Sequence, residues 1–225
     1  MSTLVLTYSA LLVQLLTMNR TTPPRRAHGA KTPRGQKTRE SIIKAAREIC
    51  AGQWLDQLSL AELAREAHTT RASVLFQFPE GWPEIAAQLM IGELEAWAAH
   101  FDSLEKTRRK APDKLVDGLA YLIGRSDELG AFIPNLRAFN MVWGDAIESL
   151  VMPYENALAG RVARLLSESV RADAESSGVR IAAESLIGYV MDLNSIPILR
   201  QADAKVRRAK VETHVDLTLR GLKGR

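Results

Sequence analysis

The stretch Leu58 to Phe78, LSLAELAREAHTTRASVLFQF, constrains the fold of this chain more than any other. Leu60, Leu63, Ala64 and Ala67 fall at i, i+3, i+4 and i+7, which is one face of an α-helix. Ser59, with Glu62 three residues on, reads as a capping box. The hydroxyl accepts the N3 amide, and the carboxylate is expected to reach back to the cap's own N–H. Thr70 then offers a second N-cap hydroxyl, followed by Val74 and Phe78 at i and i+4. Two short amphipathic helices joined by a tight turn at His68-Thr69 form a helix-turn-helix, whose second helix can enter a DNA major groove. An ordinary hairpin in a helical bundle carries the same pattern, so the flanks decide between the two.

Upstream, Thr38-Arg39-Glu40-Ser41-Ile42-Ile43 opens a helix expected to run from Thr38 to Ala51, with Ile42, Ala46 and Ile49 as its inner stripe and Gly52 as its stop. Trp54, Leu55 and Leu58 are expected to cover the resulting three-helix core, with Phe76 and Phe78 closing it from the other side. Downstream, Phe78-Pro79 leads into another helix.

With these residues in place the chain resembles the tetracycline-repressor (TetR/AcrR) family of transcription regulators. The shared pattern is T-R-x-x-I at Thr38, Arg39 and Ile42, a Leu/Ala helix beginning at Ser59, and a recognition helix from Thr70 ending in Phe78-Pro79. Three positions depart from the family pattern. The turn glycine is His68, the phosphate-contacting tyrosine falls on Leu75 or Phe76, and the lysine after Phe-Pro is replaced by Glu80-Gly81-Trp82-Pro83.

The 225 residues are 46% hydrophobic and 25% charged, ordinary for a globular protein, and suffice for a small domain plus a larger one. A lone cysteine, Cys50, excludes an intrachain disulfide and reads as a buried small hydrophobe in a reducing cytoplasm. The net charge of +4 is mild, but it is unevenly placed. Residues 1–19 carry no charge. They lack the basic start of a signal peptide and the unbroken apolar run of a membrane span, and read as an accessory tail with Met18 as an alternative initiator. A weak membrane- or partner-binding helix is the other reading of that segment. Residues 20–39 then hold Arg20, Arg25, Arg26, Lys31, Arg34, Lys37 and Arg39 with no acid among residues 20–39, and Pro23, Pro24 and Pro33 are expected to forbid a helix. Such an arm either tracks phosphates beside the helix-turn-helix or is a solvated linker.

From Pro83 onward only helices are expected: Glu84 to Leu104, one beginning at Pro112 and fading near Asp127, one starting at Gly130-Pro134, and a separate one from Met152 to Val170 with Pro153 near its start. A polar loop, Asp173 to Gly178, follows. Two last helices carry apolar stripes at Ala182, Leu186, Tyr189, Val190 and Leu193 and at Val211, Val215, Leu219 and Leu222, and Pro197 is expected to end or kink the first. His28, His68, His100 and His214 show no metal-ligand spacing, and no nucleophile elbow or glycine-rich phosphate loop occurs. No catalysis, metal or cofactor is therefore expected.

The reading is an all-α chain. It comprises a flexible extension with a basic Pro-rich arm (1–37), a three-helix helix-turn-helix DNA-binding head (38–83), and a larger helical ligand-binding and dimerisation body (84–225). Arg71 and Gln77 are the expected base readers, on guanine and adenine, and Arg39, Ser59, Thr69, Thr70 and Ser73 the expected phosphate contacts. The resemblance implies a cytoplasmic, nucleoid-associated regulator. It would act as a homodimer through the last two helices and bind a pseudo-palindromic double-stranded operator as a repressor that answers a small hydrophobic effector. Trp97, Phe101, Phe139, Trp143, Tyr154 and Tyr189 are expected to line the effector cavity, with Asp145, Asp192 and Asn194 supplying polar groups. The alternative is a dimeric small-molecule- or partner-binding protein whose head has lost specific operator binding.

Overall fold

A computed structural model describes residues 32–54, 57–196 and 201–224. Among them are eight α-helices and no strand: α1 Pro33–Gly52, α2 Leu60–Glu66, α3 Arg71–Gln77, α4 Trp82–Glu105, α5 Ala111–Glu128, α6 Phe132–Val170, α7 Ser177–Ser195 and α8 Ala204–Lys223. The all-α expectation holds. Residues 1–31, which carry the uncharged tail and most of the basic arm, lie outside the described residues, as do Leu55 and Pro197.

Helix α1 begins before the expected Thr38. Pro33 does not forbid the helix but opens it, because the first helical residue has no use for an N–H, and the Thr32 hydroxyl accepts from Gly35 N at 3.1 Å. Arg34 and Lys37 therefore belong to a helix rather than to a flexible arm. Ile42, Ala46 and Ile49 are buried as expected, and Cys50 is fully buried beside them.

The two short helices form as their caps dictate. Ser59 Oγ accepts from Glu62 N at 3.0 Å, and Thr70 Oγ1 from Ser73 N at 3.1 Å. The Glu62 carboxylate does not reach back to the cap. It accepts from Gln53 Nε2 at 2.9 Å instead, which ties α2 to the end of α1. The turn between the helices passes through His68 at φ +50°, the left-handed bend that the absence of a glycine there forces on a residue with a Cβ. Phe78 closes the core, whereas Phe76 stands 63% exposed and Trp54 48% exposed.

The helix expected to start at Gly130-Pro134 and the separate one expected from Met152 to Val170 are one. Helix α6 runs 39 residues through Pro153, which lies on its solvent side. Ile147 and Val151 before the proline and Leu158 and Val162 after it are all buried on the same face. That shared burial outweighs the single backbone hydrogen bond a proline removes.

The stripes of α7 and α8 are real but point inward. Leu186, Val190, Leu193, Val211, Val215 and Leu219 are buried within the chain's own core, so a dimer through these helices would have to use their other faces. The outer faces of these helices carry Ile181, Val206 and Leu217 instead.

The end of α1 is joined to the start of α6. The last carbonyls of a helix have no partner inside it, and at the end of α1 the start of α6 supplies them. Asn135 Nδ2 donates to Cys50 O at 2.8 Å and to Gln53 O at 2.7 Å, and Ala131 N donates to Ala51 O at 3.0 Å. Gly130, at φ +56°, permits this approach, because a Cβ there would lie 2.8 Å from the Ala51 carbonyl oxygen.

Candidate functional site: an exposed helix face and a cavity

Helix α3 is held by its inner face. Val74, Gln77 and Phe78, at i, i+3 and i+4, are buried, and Arg71, Ala72, Leu75 and Phe76 form the opposite, exposed face. Arg71 has no ion pair among the described residues, so its guanidinium is available to a partner on that face. Thr70 and Ser73 sit at the N-terminus of α3, where their hydroxyls also meet each other at 3.1 Å. Thr69 is half-buried beside them, and Ser59 is exposed at the start of α2.

Two of the expected DNA contacts are committed elsewhere. Gln77 is only 5% exposed, with its side chain turned into the core, so it is not a base reader. Arg39 is not a free phosphate ligand. Its Nη1 donates to Gln77 O at 2.6 Å, its Nη2 lies 3.6 Å from Glu84, and its guanidinium stacks 4.0 Å over the Phe78 ring. Arg39 is thus the peg that fixes the C-terminal end of α3 to α1 and α4. Burial raises the Glu84 carboxyl above its ordinary range, and the charge of Arg39 offsets part of that rise.

The cavity lies in the larger part of the chain, among α4, α5, α6 and α7, with a volume of about 500 Å³. Of the six aromatics expected there, only Trp97 lines it. Phe101 is buried in the core, Phe139 stacks on Trp143 with ring centroids 5.3 Å apart, and Tyr189 stacks on His214 at 4.1 Å. Tyr154 is half-buried and off the cavity wall. The expected polar groups are also engaged elsewhere or absent from the wall: Asp192 pairs with Arg137, Asn194 accepts from Arg207 at 2.9 Å, and Asp145 is exposed. The wall is instead made of aliphatic side chains, Trp97, the methionines Met90, Met141 and Met191, and the polar residues Glu93, Arg137, Asn140, Glu155, Asn156 and Glu184.

Glu93 is the residue of this wall that sequence reasoning missed. It is buried on α4 between two arginines. One carboxylate oxygen accepts from Arg47 Nη1 of α1 and from Arg125 Nη2 of α5, the latter at 3.2 Å, and the other accepts from Arg125 Nε at 3.4 Å. Arg47 also lies over the Phe132 ring at 4.9 Å, next to the joint between α1 and α6. A cavity wall residue therefore holds the helix on which α2 and α3 are packed. A Glu in the otherwise apolar inner run of α4, between Leu89 and Trp97, was the available signal.

No protein-family model and no curated protein matches the chain in sequence. Solved structures do match in fold. A TetR-family transcriptional regulator from Rhodococcus sp. superposes with a TM-score of 0.66 at 16% identity, covering 81% of this chain and 99% of the other. RolR in complex with resorcinol gives a TM-score of 0.56 at 16% identity, covering 83% and 93%. Thermus thermophilus FadR, a TetR-family transcriptional repressor in complex with lauroyl-CoA, gives 0.58 at 16% identity, covering 81% and 94%. Among the described residues no helix is long and apolar enough to cross a membrane. An all-α chain with a helix-turn-helix at its N-terminal side and a cavity in its larger part has the fold of the TetR-family transcriptional regulators.

Proposed function

We propose that this chain is a ligand-responsive DNA-binding transcriptional regulator, acting as a homodimeric repressor on a pseudo-palindromic operator. The observation that carries the reading is Glu93, a single side chain that lines the cavity and holds Arg47 of α1. A ligand releases DNA only if it prefers the DNA-incompetent conformation. A ligand that moves Glu93 changes what holds α1, and through Arg39 and the packing of α1 it changes the seat of α3. Helix α4 is the lever, since it begins just after α3 and carries both Glu93 and Trp97.

On the exposed face of α3, Arg71 is the residue assigned to guanine, and Phe76 and Leu75 suit thymine methyl groups. Ser59, Thr69, Thr70 and Ser73 are assigned to phosphates at helix N-termini. The outer faces of α7 and α8, with Ile181 and Leu217, are assigned to the dimer contact that would set two copies of α3 about 34–36 Å apart. The second reading, a ligand-binding dimer without specific operator binding, is favoured by Leu75 and Phe76 standing where the family places a hydrogen-bonding tyrosine.

The test is selection of bound fragments from genomic DNA by the purified chain, followed by titration of the enriched sequence. Affinity is expected to fall steeply with salt, because each neutralised phosphate releases counterions. Arg71→Ala is expected to relax the preference at one base pair by about 1–3 kcal/mol. Recovery of no preferred sequence, or an unchanged preference in Arg71→Ala, would favour the second reading.

A further inference from the structure

The charges on the cavity wall identify the class of ligand. The wall carries three carboxylates, Glu93, Glu155 and Glu184, against one guanidinium, Arg137. Arg137 is already paired with Asp192, and Glu93 is already held by Arg47 and Arg125. Glu155 and Glu184 have no hydrogen bond or ion pair among the described residues. Two carboxylates without a protein cation, both exposed at the rim, therefore face this space. Glu155 reaches solvent at the rim, yet the protein around it and the neighbouring Glu148 push its carboxyl above the usual range, as expected of a carboxylate lacking a cation.

The apolar part of the wall suits the same ligand. Trp97 donates its indole N–H to Gly118 O at 2.6 Å, so what it has left to offer the cavity is its π-surface, which attracts cations. Met90, Met141 and Met191 add polarisable thioethers that adapt to varied shapes. A volume of about 500 Å³ accommodates a drug-sized molecule. A carboxylate ligand would meet Glu155 and Glu184 unpaired, and the sole guanidinium on the wall is already neutralised. We infer that the cavity binds a lipophilic organic cation, an amine or quaternary ammonium with an apolar body, with Glu155 and Glu184 taking the charge and Trp97 and the methionines the body. This inference rests on the reading of the cavity as the effector site.

Three probes of different charge, with tails of seven or eight carbons, test it: octyltrimethylammonium, 1-octanol and octanoate, titrated calorimetrically into the full-length chain at constant ionic strength. The cation is expected to bind most tightly and octanoate most weakly. Glu155→Gln and Glu184→Gln are each expected to weaken the cation about fivefold, the scale of a partly exposed charge pair, and to leave 1-octanol unchanged. Ala159→Trp, which places a bulky ring in the cavity, is expected to weaken binding of the cation. Octanol binding as tightly as the cation, octanoate binding more tightly, or cation binding undiminished in Ala159→Trp would overturn the cation assignment and leave the effector-site reading standing. If none of the three probes binds, both the assignment and the reading of this cavity as an effector site fall.

Discussion

Glu93→Gln is the perturbation that most directly probes the tie between the cavity and α1. The carboxylate is 6% exposed, and its two arginine partners, Arg47 and Arg125, are 31% and 24% exposed. Breaking a fully buried pair costs about 3–5 kcal/mol, because a charge is left uncompensated. Here the arginines keep partial access to water, and Arg125 keeps Glu128 at 2.9 Å, so a loss of about 2–3 kcal/mol is the appropriate scale. For a chain of this size that is a fall in Tm of roughly 4–12 °C. Urea is the suitable denaturant, since guanidinium would screen the interaction under study. A double-mutant cycle with Arg47→Gln isolates the link to α1, and a coupling of about 1–2 kcal/mol is expected. Additive effects of the two substitutions, within about 0.3 kcal/mol, would show that Glu93 does not hold Arg47 and would remove the proposed route from cavity to head.

Two further outcomes follow from local geometry. His68 is exposed and sits at φ +50°, where a Cβ costs roughly 1–2 kcal/mol and glycine's extra unfolded freedom returns about half of that; His68→Gly is therefore expected to stabilise the chain by about 0.5–1 kcal/mol, seen as a Tm rise of roughly 1–4 °C. The guanidinium of Arg161 grips Asp102 with bonds of 2.7 and 2.9 Å and holds its carboxyl below the usual range. A depressed carboxyl contributes stability above its ordinary value, near 4, and loses it as pH falls through the lower folded value. The stability deficit of Asp102→Asn in urea unfolding should accordingly be present at pH 7 and shrink toward pH 3, and a deficit independent of pH would refute the assignment.

What could be read from the sequence was what local chemistry decides. Ser59 and Thr70 cap their helices because a hydroxyl with a free amide three residues on has one good use, and the Leu60–Ala67 spacing admits one buried face. The burial of Gln77 follows from spacing: it lies at i+3 from Val74, on the same stripe as Phe78, and a stripe that ends in a buried phenylalanine is an inner face. The cavity was not legible for a deeper reason. Aromatic rings find partners, as Phe139 does with Trp143 and Tyr189 with His214, and a ring with a partner fills space rather than leaving it. An open space remains where helices are held apart, and that depends on contacts such as Glu93 to Arg47, 46 positions away in the chain. The continuity of α6 through Pro153 is of the same kind, since it is decided by burial on both sides of the proline and not by the proline.

The most direct test of the account is whether cavity and operator are coupled within one chain. Octyltrimethylammonium, or whichever cavity ligand binds, is titrated into the chain with and without saturating operator DNA. Coupling between two sites is typically about 1–3 kcal/mol and reciprocal, so the operator is expected to weaken ligand binding by roughly 5- to 150-fold, the same factor by which the ligand weakens operator binding. Equal ligand affinity in the presence and absence of operator would contradict the proposal that this cavity governs the DNA-facing helix.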